Sequence, residues 1–158
     1  MEEFAFNSLN VEDTRRFARA LARCLKGGDI VFLSGPIGAG KTVIVSACAR
    51  ALGCKKKPVS ASFSLMKKYE STKNVLYHID LFRLKEEEMF NLGFEPMLED
   101  ETSLIFAEWP LPAQNFFPKD RLEIKLELCG GSKRKIILSA KEKRSARLLE
   151  DLKKILKK

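Results

Sequence analysis

The string Gly35-Pro36-Ile37-Gly38-Ala39-Gly40-Lys41-Thr42 constrains this chain more than any other feature, because it matches G-x-x-x-x-G-K-T at every fixed position. Glycines at 35, 38 and 40 permit backbone angles closed to other residues, so consecutive N–H groups can turn inward around phosphate oxygens at a helix start. Lys41 adds a point charge at the β and γ phosphates, and the Thr42 hydroxyl can bind Mg2+. Such a loop works only between a strand and a helix, and both flanks fit. Ile30-Val31-Phe32-Leu33 is the continuous apolar run of a buried parallel strand, and a helix is expected from Lys41 to about Leu52, closed by Gly53. Loop and flanks together point to a bound nucleoside triphosphate with its Mg2+.

The rest of the chain alternates helix and strand signals. After a short apolar start at Phe4 to Phe6, Asn10 can cap a helix whose apolar positions Val11, Phe17, Leu21 and Leu25 recur until Gly27-Gly28. Phe63 to Tyr69 and Val75 to Leu81 read as strands around a turn at Ser71 to Asn74, and Glu86 to Leu92 as a short helix ended by Gly93. Leu104-Ile105-Phe106-Ala107 reads as another buried strand, broken by Pro110 and Pro112. Alternation in Leu122 to Leu128 and in Ile136-Ile137-Leu138, joined across Gly130-Gly131, suggests an antiparallel hairpin beside the sheet. The expected fold is a three-layer α/β, P-loop NTPase-like domain over residues 1–158, with a mixed, partly parallel sheet and a C-terminal helix at about 141–157.

That last segment holds the charge excess. Residues 133–158 carry 11 Lys plus Arg against 3 acidic residues, while residues 1–132 carry 18 of each. Clustered cations reward contact with an anionic partner, but Leu148, Leu149, Leu152, Ile155 and Leu156 fall at helical spacing and explain the segment as a docked amphipathic helix. Cys24, Cys48, Cys54 and Cys129 form no C-x-x-C pair, and His78 is the only histidine, so a zinc site has almost no ligands to draw on. No apolar run approaches the roughly 20 residues of a membrane span, and Met1-Glu2-Glu3 is acidic where a signal peptide is basic. A cytoplasmic protein with no membrane partner is expected.

A triphosphate site also needs carboxylates to hold Mg2+ and to orient water, usually at the ends of strands beside the loop. Asp80 ends the run Val75 to Ile79, and Glu108 ends Leu104 to Ala107. His78 lies two positions before Asp80 on the same strand face and reads as a packed or hydrogen-bonding histidine. Arg83 can reach either phosphate or the Glu86-Glu87-Glu88 run, and Lys55-Lys56-Lys57 reads as a solvated loop.

Several strings together resemble the TsaE (YjeE) family of P-loop ATPases of tRNA threonylcarbamoyladenosine synthesis. They are Gly38-Ala39-Gly40-Lys41-Thr42, Ser60-Ala61-Ser62-Phe63-Ser64-Leu65, His78-Ile79-Asp80-Leu81-Phe82-Arg83-Leu84, Leu92-Gly93-Phe94 and Glu108-Trp109-Pro110. The resemblance runs from the first helix to Pro110. It implies a Mg2+-dependent ATPase that works with the TsaB and TsaD proteins, any tRNA contact being indirect. It implies ATP binding by Gly35, Pro36, Ile37, Gly38, Ala39, Gly40, Lys41, Thr42 and Val43, with Trp109 near the nucleotide. Thr42 and Glu108 would hold Mg2+, and Lys41, Asp80 and Ser62 would be catalytic, with Asp80 positioning water. One departure stands out. The family reads S-P-T-(Y/F) where this chain has Ser60-Ala61-Ser62-Phe63, so Ser62 keeps a hydroxyl for the γ-phosphate region while Ala61 lacks the fixed angle of proline. The rival readings are a small-molecule or nucleotide kinase and a non-hydrolysing ATP-dependent scaffold. A GTPase is disfavoured because no N-K-x-D or T-K-x-D string reads guanine.

Overall fold

In a computed structural model of the protein, residues 1–55 and 65–158 are described in full and residues 60–63 by their backbone. Eight strands form one sheet: β1 (Glu2–Ser8), β2 (Ile30–Ser34), β3 (Ser60–Phe63), β4 (Met66–Glu70), β5 (Val75–Asp80), β6 (Ser103–Glu108), β7 (Leu122–Leu128) and β8 (Arg134–Ala140). Their order across the sheet is β1-β8-β7-β2-β6-β5-β4-β3. The four central strands, β7, β2, β6 and β5, run parallel, and each side is completed by an antiparallel pair. The expected mixed, partly parallel sheet is therefore present.

Two expectations shift. The hairpin placed beside the sheet is part of it, because β7 pairs in parallel with β2 from Val31 opposite Leu122 to Ser34 opposite Lys125. Alternation marks a strand with two different faces, and that does not say whether its neighbours run parallel or antiparallel. The single strand expected over Phe63 to Tyr69 is two strands, β3 and β4, paired antiparallel with a register shift.

The α-helices are α1 (Val11–Cys24), α2 (Lys41–Ala51), α3 (Glu95–Glu99) and α4 (Lys143–Leu156). Asn10 caps α1 as expected, its side chain accepting from the Asp13 amide at 2.9 Å. Glu86–Asn91 is a 3₁₀ helix rather than an α-helix, fastened by the Lys85 amide on Glu88 Oε2 at 2.8 Å. Pro110 and Pro112 do more than break β6: they frame a 3₁₀ turn, Leu111–Ala113, whose first turn tolerates proline.

Helices α1, α2 and α4 cover one face of the sheet, meeting Val31, Leu33, Leu76, Leu104, Phe106 and Leu122. The other face, with Phe32, Ile79, Ile105 and Ala107, lies under α3 and the two 3₁₀ segments through Met89, Phe94, Met97 and Phe117. Helix α4 buries Leu148, Leu149 and Leu152, and three of its five cations find carboxylates: Arg144 with Asp29 at 2.6 Å, Lys154 with Asp151 at 3.1 Å, and Lys153 with Glu2. The basic end of the chain is thus a docked amphipathic helix.

Candidate functional site

The parallel register sets three strand ends in one row: Leu33 lies opposite Glu108, and Glu108 opposite Asp80. Along each strand, alternate residues face α1 and α2. On β6 the stripe runs Leu104, Phe106, Glu108, and on β5 it runs Leu76, His78, Asp80. Both stripes are apolar where the helices cover them and turn polar at the C-terminal edge, where α2 begins. A polar residue at those positions would be costly deeper in the core; at the edge it faces the loop.

The loop is shaped by close approach as well as by φ. A Cβ on Gly35, at φ +142°, would stand 2.6 Å from the Leu126 carbonyl oxygen on β7. Gly40 caps α2 in the left-handed region at φ +106°, a conformation that a side chain would strain. Lys41 is buried, its Nζ donating to the carbonyls of Gly35 at 2.7 Å and Pro36 at 3.0 Å and lying 4.3 Å from the centre of the Trp109 ring. Burial pushes its pKa below the ordinary lysine value, against the opposing pull of Glu108 and Asp80.

Glu108, only 5% exposed, is the hub. Its Oε1 accepts from the Thr42 hydroxyl at 3.1 Å and from His78 Nε2 at 2.8 Å. Burial pushes the Glu108 carboxyl up, but the His78 hydrogen bond and charge, the Thr42 hydroxyl and Lys41 outweigh it and hold the group below its ordinary value. Ionised carboxylate beside hydroxyl is a hard-oxygen pair. The Thr42 hydroxyl and the Glu108 carboxylate, hydrogen-bonded at 3.1 Å, are oxygen donors of the kind Mg2+ takes. Among the described residues no three His, Cys, Asp or Glu side chains converge into a closed cage, and Mg2+ does not need one, since it keeps positions for water and phosphate oxygens.

Asp80 is exposed, with Oδ1 accepting from the Phe82 amide at 3.0 Å. Ile37, Gly38, Gly40, Lys41, Thr42, Val43, Asp80, Glu108 and Trp109 all line one cleft of about 410 Å3. The side chain of Ser62 lies outside the described residues. Trp109 is the one non-glycine with positive φ (56°) among the described residues, held by its amide on the Leu33 carbonyl at 3.1 Å. Its ring and Phe82 form a shared wall between the cleft and a second, apolar cavity of about 540 Å3 over Phe32 and Leu81. Arg83 is exposed and makes no ion pair among the described residues.

The family model of the threonylcarbamoyl adenosine biosynthesis protein TsaE matches residues 8–136. The chain belongs to the TsaE family. It is 30% identical over 152 residues to the tRNA threonylcarbamoyladenosine biosynthesis protein TsaE of Bacillus subtilis, covering 96% of this chain and 95% of that one. It is 36% identical over 127 residues to the TsaE of Rickettsia felis, covering 79% and 73%. The crystal structure of Bacillus subtilis YdiB superposes with a TM-score of 0.82 at 27% identity, over 98% of this chain and 96% of that one. The TsaE match extends past Pro110, where the resemblance by motif stopped, through β7 to the start of β8.

That extension contains a residue that motif reading missed. Arg134, at the start of β8, donates from Nε to the Ala39 carbonyl and from Nη2 to the Gly38 carbonyl, both at 3.2 Å. In sequence it is one cation within a basic tail, and only the register of β7 and β8 brings it to the loop. Phe82 stands inside the H-x-D-x-F-R-L string, which by itself gives it no role; in space its ring packs at a tilt against Trp109 with centroids 4.9 Å apart.

Proposed function

We propose that this chain is a Mg2+-dependent ATPase that serves tRNA threonylcarbamoyladenosine formation together with TsaB and TsaD. The observation that carries the reading is the Thr42–Glu108–His78 chain of hydrogen bonds at the first turn of α2, in register with Asp80 and beside Lys41. Loop amides at a helix N-terminus bind phosphate oxygens, and Lys41 adds its charge there. Thr42 and Glu108 would hold Mg2+, which when bound neutralises charge on the phosphate oxygens. His78 keeps the Glu108 carboxylate oriented and ionised. Asp80, fixed by the Phe82 amide at the open edge, takes the role of positioning water for in-line attack. Trp109 and Phe82 form the side of the cleft that separates it from the apolar cavity.

The kinase reading draws on the apolar cavity across Trp109, which has room for an acceptor. Its one buried cation, Arg121, is already engaged by the carbonyls of Gln114, Phe117 and Pro118 and by Glu123. Among the described residues that leaves no free basic group there to bind a phosphorylated acceptor, and hydrolysis is the better-supported reaction. Phosphate release from ATP and GTP with Mg2+, alone and with TsaB and TsaD, is the deciding measurement. ATP-selective release that rises with the partners is expected. Phosphate found on a small acceptor would turn the reading to a kinase, and tight binding without turnover would turn it to a scaffold.

A further inference from the structure

The β7–β8 hairpin overhangs the phosphate loop. Strand β7 pairs with β2 only as far as Ser34 opposite Lys125, yet it runs on to Leu128. Its last residues therefore project past β2, alongside the loop, with the Leu126 carbonyl against Gly35. Strand β8 returns with Arg134 opposite Leu128. The half-buried guanidinium is bound on both sides. Nη1 donates to the hairpin-turn carbonyls of Gly131 at 2.7 Å and Lys133 at 2.8 Å, while Nε and Nη2 take the carbonyls of Ala39 and Gly38. The turn itself is closed by the Lys133 amide on the Gly130 carbonyl at 3.0 Å.

In a trans peptide the C=O and the following N–H point in opposite directions within one plane. Holding the Ala39 carbonyl on Arg134 therefore aims the Gly40 amide the other way. Holding the Gly38 carbonyl aims the Ala39 amide inward, where it closes a turn on Pro36 at 3.1 Å. The carbonyls of Gly35 and Pro36 are meanwhile taken by Lys41. Two cations thus gather the carbonyls that would repel an anion.

We propose that Arg134 is a positioning residue that keeps the phosphate loop in its anion-binding shape and ties that shape to the tip of the β7–β8 hairpin. The inference rests on reading the loop as a triphosphate site. Arg134 acts through the backbone of Gly38 and Ala39, so its effect follows the phosphates and not the nucleoside. The test uses the full chain and its variants Arg134→Gln and Arg134→Lys, with ATP and inorganic tripolyphosphate as ligands and thermal midpoint as the check on folding. Arg134→Gln is expected to weaken both ligands by the same factor, tenfold or more, and Arg134→Lys to recover part of the loss at an unchanged midpoint. Affinities for both ligands within twofold of the parent in Arg134→Gln would overturn the proposal. So would a loss for ATP with tripolyphosphate unaffected, which would make Arg134 a nucleoside contact. A parent that binds neither ligand would overturn the triphosphate reading itself, and this inference with it.

Discussion

The face of the sheet that carries α1, α2 and α4 is braced by helices of 14, 11 and 14 residues, whereas the opposite face lies under a 5-residue helix and two 3₁₀ segments. On the braced face the core joins all three helices to five strands, β2, β5, β6, β7 and β8. On the other, Phe94, Phe116 and Phe117 pack together, with Phe117 against Phe32 of β2, and Phe82, Phe90 and Leu111 stay exposed around them. His78, Asp80 and Glu108 all lie on the braced side, at the ends of its stripes. Groups that must meet within a few tenths of an ångström belong where packing fixes their backbone. The thin side keeps an apolar cavity next to the same edge.

Equal truncations on the two faces put this contrast at risk. Phe17 in α1 is fully buried and sits 5.5 Å from Phe6, so Phe17→Ala should lose about 3–5 kcal/mol. Phe117→Ala on the thin face leaves Phe94 and Phe116 free to close over the gap, and about 2–3 kcal/mol is expected. Denaturant midpoints at a common slope measure both. If Phe117→Ala costs as much as Phe17→Ala, the thin face is as rigid as the braced one and the contrast fails.

At the site, Asp80→Ala should lower ATP turnover about 100-fold, roughly 2.7 kcal/mol of activation free energy, with ATP affinity changed less than threefold. A comparable loss of affinity would make Asp80 a ligand for the metal or phosphate. A smaller effect concerns pH. Because the folded protein holds Glu108 below its ordinary value of 4.5, the ionised group stabilises the fold above that pH, and the contribution is lost as pH falls through the folded value. Glu108→Gln removes this titration. The parent's advantage in thermal midpoint over the variant should be full at neutral pH and shrink in acid; an advantage constant from pH 7 to pH 3 would show that Glu108 is not held ionised by His78 and Thr42.

Sequence made the braced side legible and the thin side much less so. Asn10, Gly40 and the apolar runs of β2, β5 and β6 announce helix starts and buried strands through local rules, and Asp80 and Glu108 follow because each ends such a run. Their meeting depends on nothing more distant than parallel register. Arg134 could not be placed this way, since it reaches Gly38 and Ala39 across 95 or more residues by the overhang of one strand past another. The hydrogen-bonding role expected for His78 is met, but its partner Glu108 lies 30 residues on. Helix α3 escaped notice because five residues carry too little periodicity to read, and Pro96 in its first turn looks like a breaker.

The smallest effect expected probes the seam between the two faces, at Trp109. A tryptophan at φ 56° carries backbone strain of about 1–3 kcal/mol, offset here by the amide hydrogen bond to Leu33, the Lys41 ammonium over the ring and the tilted packing against Phe82. Phe82 is 53% exposed, so Phe82→Ala removes one side of that support while uncovering little core, and should cost less than about 1 kcal/mol. Trp109 is the only tryptophan in the chain, so its emission reports this position alone. The variant should emit at longer wavelength, and its emission should respond less to ATP if ATP engages Lys41 as proposed, because the ring is no longer pinned against that lysine. A cost above about 2 kcal/mol would show that the exposed aromatic holds the C-terminal edge together, which would extend the braced region across the seam and into the face described as thin.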